Sequence, residues 1–233
     1  MMEKKEQLYE GKAKKVYATE DPEQLIVSYK DDATAFNGQK KGTIAGKGAI
    51  NNRMSNFLMA MLEKHGVPTH LVQELNERET VVKKVSIVPL EVIIRNISAG
   101  SFSKRYGVAE GIVFEEPTLE FSYKNDDLGD PLINRYHALA LKLASREELE
   151  TIQTLAFRVN EVLKAYFLGL GMTLWTLSWS SAACPMAPSS WPTRSPPIPA
   201  AFGTAKPMRS WTRTASAGIW AAWKRPIRRS CAA

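Results

Sequence analysis

A chain of 233 residues can bury a sizeable core, as one large domain or as two small lobes around a shared cleft. Its formal charge of +7 and pI near 9.4 would ordinarily suggest a nucleic-acid or anionic-surface partner. Residues 1–174, however, hold 23 Lys+Arg against 24 Asp+Glu, while residues 175–233 hold 8 Lys+Arg and no acid, so the basic balance belongs to the tail alone and no nucleic-acid partner is expected for the rest.

Taken in chain order, residues 6–30 predict a meander of short strands: QLYEGKAKKVYAT, a turn at Asp21–Pro22, then QLIVSYK. The Gly- and Lys-rich sequence from Asn37 to Gly48 predicts a mobile loop. Residues 49–65 (AINNRMSNFLMAMLEKH) carry apolar residues at helical spacing and stop at Gly66, which suits a C-cap. Strands are expected at 68–74, 79–85 and 90–96, then a loop over 97–111 and a strand pair, IVFEE and LEFSYK. Residues 145–170 predict the longest helix, with Ser145 and Glu148 spaced as a capping box and apolar residues recurring to Leu168. Strands with interspersed helices and no repeated βαβ unit favour an α+β fold. The tail shows no consistent period.

Cys184 and Cys231 stand 47 positions apart without a CxxC, and His65, His70 and His137 are scattered, so neither a zinc site nor a disulfide framework is expected. No apolar run approaches the roughly 18 residues of a membrane span, and MMEKKEQ is not a signal peptide. The first 174 residues read as cytoplasmic, with no membrane partner.

Four segments carry candidate chemistry. In GKAKKVY (Gly11–Tyr17), Lys12 and Lys14 share one face of a predicted strand beside a glycine, which suits a polyphosphate. A solvated basic strand face would look the same. VVKK (Val81–Lys84) is an apolar strand bearing two lysines, one of which could face a cleft; a basic edge strand explains it equally well. In PLEVIIRNISAGS (Pro89–Ser101), Glu91 and Arg95 lie four apart on an extended segment and so share a face. The SAGS turn that follows offers amides and the Ser101 hydroxyl to a phosphate, or simply closes an ordinary turn beside an ion pair. YKNDDLGDPLI (Tyr123–Ile133) reads as an Asx-rich turn or as a phosphate- or metal-facing loop.

In this order and spacing, GKAKKVY, KGAINN, LVQELNERETVVKKVSIVPLEVIIRNISAGS and YKNDDLGDPLI closely resemble the phosphoribosylaminoimidazole-succinocarboxamide synthase (SAICAR synthetase) family, from about Gln7 to Leu174. The resemblance implies a two-lobed α+β fold with antiparallel sheets and an ATP cleft between the lobes. Residues 1–88 would form the β-rich ATP-binding lobe and residues 89–174 the start of the second lobe. The implied reaction consumes ATP, carboxyaminoimidazole ribonucleotide and L-aspartate, with Mg²⁺ as cofactor, and the implied assembly is a homodimer. By similarity, Lys12, Ala13 and Lys14 lie along ATP, Lys83 and Ile87 border the nucleotide, and Lys124 is a further phosphate contact. Arg95 and Ser101 would hold the ribonucleotide. No catalytic residue is assigned.

The family's second signature, roughly Leu-Val-Asp-Phe-Lys-Leu-Glu-Phe-Gly, should follow GLGMTL, where this chain reads WTLSWSSA. Trp is encoded only by TGG and Thr by ACN, so a shifted frame turns Trp175–Thr176 into Asp without choice. Allowed codons for the next residues give Phe-Lys-Leu-Glu-Phe-Gly, and the same register yields family-like sequence from WPTRSPPIPAAFG and from Met208–Trp220. Residues 175–233 therefore read as a frameshifted remainder. The family's Mg²⁺-holding Glu and Asp are then absent as written, so the chain is expected to be inactive and to leave a sheet edge unpaired. Two other readings remain: a nucleotide-binding module without ligase activity, and a basic-tailed nucleic-acid-binding protein.

Overall fold

The computed structural model describes residues 2–11, 13–35, 40–183 and 198–199 of the chain. The expected meander forms as β1 (Gln7–Glu10), β2 (Lys14–Ala18) and β3 (Gln24–Tyr29), all antiparallel. Its second turn is built from short polar side chains: the Asp21 carboxylate accepts from Glu23 N at 2.9 Å and the Thr19 hydroxyl from Asp21 N at 3.1 Å. With β6 (Leu71–Asn76) and β7 (Glu79–Lys83) these strands make one sheet, in the order β1-β2-β3-β7-β6. Ile26 of β3 and Val81 of β7 are register partners, both buried at its centre.

Helix α1 (Lys47–Lys64) packs on this sheet. Part of its contact is polar: Thr80 of β7 donates to Asn52 Oδ1 at 2.6 Å, and Asn56 Nδ2 donates to the Thr80 hydroxyl at 2.7 Å. Gly66, just past the C-cap His65, is left-handed at φ 79°, the stop the sequence predicted. The expected loop over 37–48 is in part a hairpin, β4 (Asp32–Ala35) with β5 (Lys40–Thr43); Asn37, Gly38 and Gln39 lie outside the described residues. Asp31 anchors it. The Asp31 carbonyl accepts from Ile44 N at 2.9 Å, and its carboxylate takes the amides of Gly46 and Gly48 at the start of α1. A Cβ on Gly48 would lie 2.5 Å from Tyr29 O, so only glycine lets the helix start this close to β3.

The second sheet has the order β10-β9-β8-β11-β12, from β8 (Ser86–Ile97), β9 (Val113–Tyr123), β10 (Leu132–Ile133), β11 (Thr176–Ala183) and β12 (Ile198–Pro199). Period-two alternation in β8 sends Leu90, Val92, Ile94 and Asn96 to one face, under the long helix α4 (Arg146–Gly169). Asn96 and Asn160 of α4 exchange amide hydrogen bonds at 2.8 and 2.9 Å, which satisfies two buried amides at once. Ser145 caps α4 through the expected box with Glu148. A common core joins Leu58 and Leu62 of α1, Ile152, Val159 and Leu163 of α4, Phe121 of β9, and Leu177 and Trp179 of β11. Each such side chain contributes about 1.5–3 kcal/mol on burial.

Three expectations need correction. The 97–111 loop contains a short helix, α2 (Ser101–Tyr106), closed by Gly107 in the left-handed region. IVFEE and LEFSYK are one strand, β9, rather than two. Pro117 is tolerated there because it falls where the β8–β9 register shifts, between the pairs Arg95–Thr118 and Ile97–Val113. The β8 edge is not left unpaired. β11, from the aberrant tail, pairs along it from Thr176–Arg95 to Ala183–Ser86, because Leu177 and Trp179 alternate with Ser178 and Ser180 and meet the core. The connection between α3 (Arg135–Ala140) and α4 is short, and α3 is capped by Asn134. Among the described residues no helix is long and apolar enough to cross a membrane.

Candidate active site

Lys14 of the first sheet lies within electrostatic reach of Lys124, which follows β9 of the second. Lys14 opens β2 opposite Tyr29 and is half-buried. Burial first, and the neighbouring Lys124 ammonium second, push its pKa down. Lys124 follows β9 and is tied by its backbone N–H to Pro89 O at 3.0 Å. Among the described residues neither lysine has an ion-pair partner. Two close, uncompensated ammonium groups, one from each sheet, repel each other until an anion arrives. That placement suits phosphate.

The other nucleotide-facing candidates are not all brought there. Lys12 lies outside the described residues. Ala13 has its carbonyl committed to Lys30 N at 2.8 Å, which joins the β1–β2 turn to the end of β3. Lys83 is exposed and pairs with Gln24, five residues along β3 from the Lys14 partner Tyr29, so about 17 Å separates the two positions. Ile87, half-exposed on β8, stands opposite Ala182.

Arg95 and Ser101 are brought together. On β8 the residues Glu91, Ile93 and Arg95 share the face away from α4, as their spacing predicted. Arg95 is 5% exposed, and its Nη2 donates to the Ser101 hydroxyl at 3.1 Å. Its acidic partner is Glu120 of β9, approached by Nε and Nη2 at 3.3 and 3.2 Å, and not Glu91. Glu120 also faces Arg105 of α2 at 3.7 Å, and the Phe102 ring lies 5.7 Å from the Arg95 guanidinium carbon. Two guanidiniums therefore share one carboxylate on this floor. Sequence reading missed Glu120, although period-two alternation in TLEFS places it on the polar face with Thr118 and Ser122. The SAGS turn contributes less than expected, since Gly100 N is already spent on Glu110 Oε1 at 2.8 Å.

The acidic loop at Asn125–Asp130 is a structural turn. Asn125 Oδ1 accepts from Asp127 N and Leu128 N over the 3-10 turn Asp126–Leu128, and Asp130 Oδ1 accepts from Asn125 N at 2.9 Å. Asp126 and Asp127 stay exposed. For Mg²⁺ the donor set is poor. β11 presents Thr176, Ser178 and Ser180 opposite Arg95, Ile93 and Glu91, and the described residues contain no group of three His, Cys, Asp or Glu side chains able to hold a metal. Nor does the sequence after Leu174 supply any carboxylate. Magnesium prefers carboxylates together with substrate phosphates, so the residues present do not fit a protein-held ion.

Antiparallel sheets that present Lys14 and Lys124 without ion-pair partners among the described residues and, further along β8, the Arg95–Ser101 pair suit the binding of phosphorylated small molecules. The SAICAR synthetase family model matches residues 7–176. A phosphoribosylaminoimidazole-succinocarboxamide synthase of Lachnoclostridium phytofermentans is 66% identical over 173 residues, 74% of each chain. The crystal structure of the synthase from Ehrlichia chaffeensis is 40% identical with a TM-score of 0.78, covering 84% of this chain and 81% of that one. A SAICAR synthetase solved in complex with ADP is 39% identical with a TM-score of 0.75, covering 83% and 79%. The chain belongs to the SAICAR synthetase family, ATP-dependent carbon–nitrogen ligases of purine biosynthesis.

Proposed function

We propose that residues 1–174 carry the binding half of a cytoplasmic ligase that joins L-aspartate to the carboxylate of carboxyaminoimidazole ribonucleotide. In that reaction the substrate carboxylate attacks the γ-phosphorus of ATP and ADP leaves. The aspartate amine then attacks the acyl phosphate carbon, phosphate departs, and the amine gives up a proton to the surroundings. Lys14 and Lys124 neutralise the nucleotide phosphates, and Arg95 with Ser101 holds the ribonucleotide. The observation that carries the reading is the nearness of Lys124 to Lys14, neither in an ion pair among the described residues, within a chain matched to the family over residues 7–176.

The chain as written binds but does not ligate. β11 places Ser178 and Ser180 where the shifted frame has Lys and Glu, so the groups that organise phosphoryl transfer are missing. A frameshift near Leu174 accounts for this and for the acid-free tail. The test is calorimetric titration of the full chain with ADP and with the ribonucleotide. Lys14→Ala should weaken ADP about tenfold and leave the ribonucleotide unchanged, and Arg95→Ala should do the reverse. If both variants bind both ligands like the parent, the residue roles are wrong.

A further inference from the structure

Lys30 follows β3 directly after Tyr29, the register partner of Lys14. Side chains alternate along an extended segment, so Lys30 falls with Ser28 and Lys15 on the face turned away from Lys14. The contacts agree. Lys30 Nζ lies 2.6 Å from Glu10 Oε1, and Glu10 Oε2 faces Lys15 Nζ at 3.4 Å. The same Lys30 ammonium lies 2.6 Å from Asp32 Oδ2, at the start of β4. Asp32 first and Glu10 second raise its pKa, so it stays charged at neutral pH. The main chain holds the same region: Lys30 N–H donates to Ala13 O at 2.8 Å, and Gly11 N–H donates to Lys14 O at 2.9 Å. Glu10 and Ala13, at the two ends of the connection from β1 to β2, are therefore both held by one residue, the first through its ammonium and the second through its amide. Partly exposed ion pairs add little to folding stability, so what this network fixes is geometry.

We propose that Lys30 is a positioning residue for the nucleotide site, anchoring the connection from β1 to β2 from behind so that Lys14 is held towards the phosphates. Lys30 itself, on the opposite face, does not reach the ligand. Lys14 stands near the like-charged Lys124, and that repulsion favours any motion of β2 that separates the two. An anchored connection resists it, and binds phosphate without first having to order itself. Because Asp32 shares the Lys30 ammonium, the β4–β5 hairpin is tied to the same point. Charge and position make opposite demands here. Removing the Glu10 carboxylate should favour an incoming anion by Coulomb attraction alone, whereas losing an anchor should weaken its binding. This inference rests on the nucleotide reading of Lys14 given above.

The experiment is calorimetric titration of the full-length chain with ADP and with adenosine. Lys30→Met and Glu10→Gln should each weaken ADP roughly fivefold and leave adenosine unchanged. The double variant should lose little more than either single one, because both remove the same contact. Lys30→Arg should keep parental affinity, and the melting temperature of Lys30→Met should fall by no more than about 4 °C. ADP affinity in Glu10→Gln equal to the parent's or tighter would show that charge and not position governs this face, and would overturn the proposal. Losses that add fully in the double variant, or that extend equally to adenosine, would mean a loosened sheet and overturn it too. Parental ADP affinity in Lys30→Met, with Lys14→Ala weakened, removes the role of Lys30 and leaves the Lys14 site standing. Parental affinity in both variants overturns the Lys14 reading as well, as does an unmodified chain that binds no ADP.

Discussion

Asp31 ties the end of β3 to the start of α1. The Arg78 guanidinium first, then the Gly48 amide, hold its carboxyl well below the usual carboxylate range. A carboxyl depressed in the folded state stabilises above its unfolded pKa of about 3.9, and that contribution is lost as pH falls towards the folded value. Asp31→Asn should therefore flatten the acid limb of melting temperature against pH below pH 4; an acid limb as steep as the parent's would show that Asp31 does not set it. Lys14 has the opposite sign. Burial and Lys124 lower its pKa, so the charged lysine opposes folding at neutral pH, and the cost fades as pH rises towards the unfolded pKa of about 10.4. Lys14→Met should raise the melting temperature of the ligand-free chain and reduce the further rise that ADP produces. Movement of both in the same direction would contradict the role given to this lysine. Arg95 was legible because Glu and Arg four apart on an extended segment share a face. Its partner Glu120 was not, because it lies 25 residues away and only the β8–β9 register brings the two together.

The helices and strands differ in how far local sequence dictated them. α4 could be read to within a residue from Ser145, Glu148 and its apolar spacing, and Ser145→Ala should cost about 1 kcal/mol in denaturant unfolding. The short helix α2 carries no periodic signal in six residues, and β9 was split in the reading because Pro117 mimics a break. β11 was concealed in a tail whose composition suggests no order. Its eight residues nonetheless alternate Leu177 and Trp179 with Ser178 and Ser180, and Trp175 O receives the amides of Asn96 and Ile97 just before the strand begins. Trp179, at 3% exposure, belongs to the common core. Trp179→Ala should cost about 3–5 kcal/mol, against less than about 0.5 kcal/mol for Ser178→Ala on the open face. Equal, small effects would mean that β11 does not close the sheet.

As a whole, the molecule joins a near-neutral family scaffold to an acid-free basic tail, and the boundary falls inside the second sheet rather than between domains. The sheet tolerates the change because strand pairing asks only for backbone partners and an alternating apolar face, which β11 keeps. Phosphoryl transfer asks for particular charged groups at particular register positions, and there β11 offers hydroxyls. In the proposed reading fold and chemistry separate at Thr176: the chain keeps the architecture, while β11 presents hydroxyls where the shifted frame has charged side chains. The measurement to make is ADP release by the full-length chain supplied with ATP, carboxyaminoimidazole ribonucleotide and magnesium, with and without L-aspartate, beside a version carrying the shifted frame from residue 175. No aspartate-dependent ADP from the chain as written, and clear turnover from its shifted counterpart, is the expected result. Aspartate-dependent ADP release from the chain as written would contradict it, and would place the catalytic groups elsewhere in the cleft.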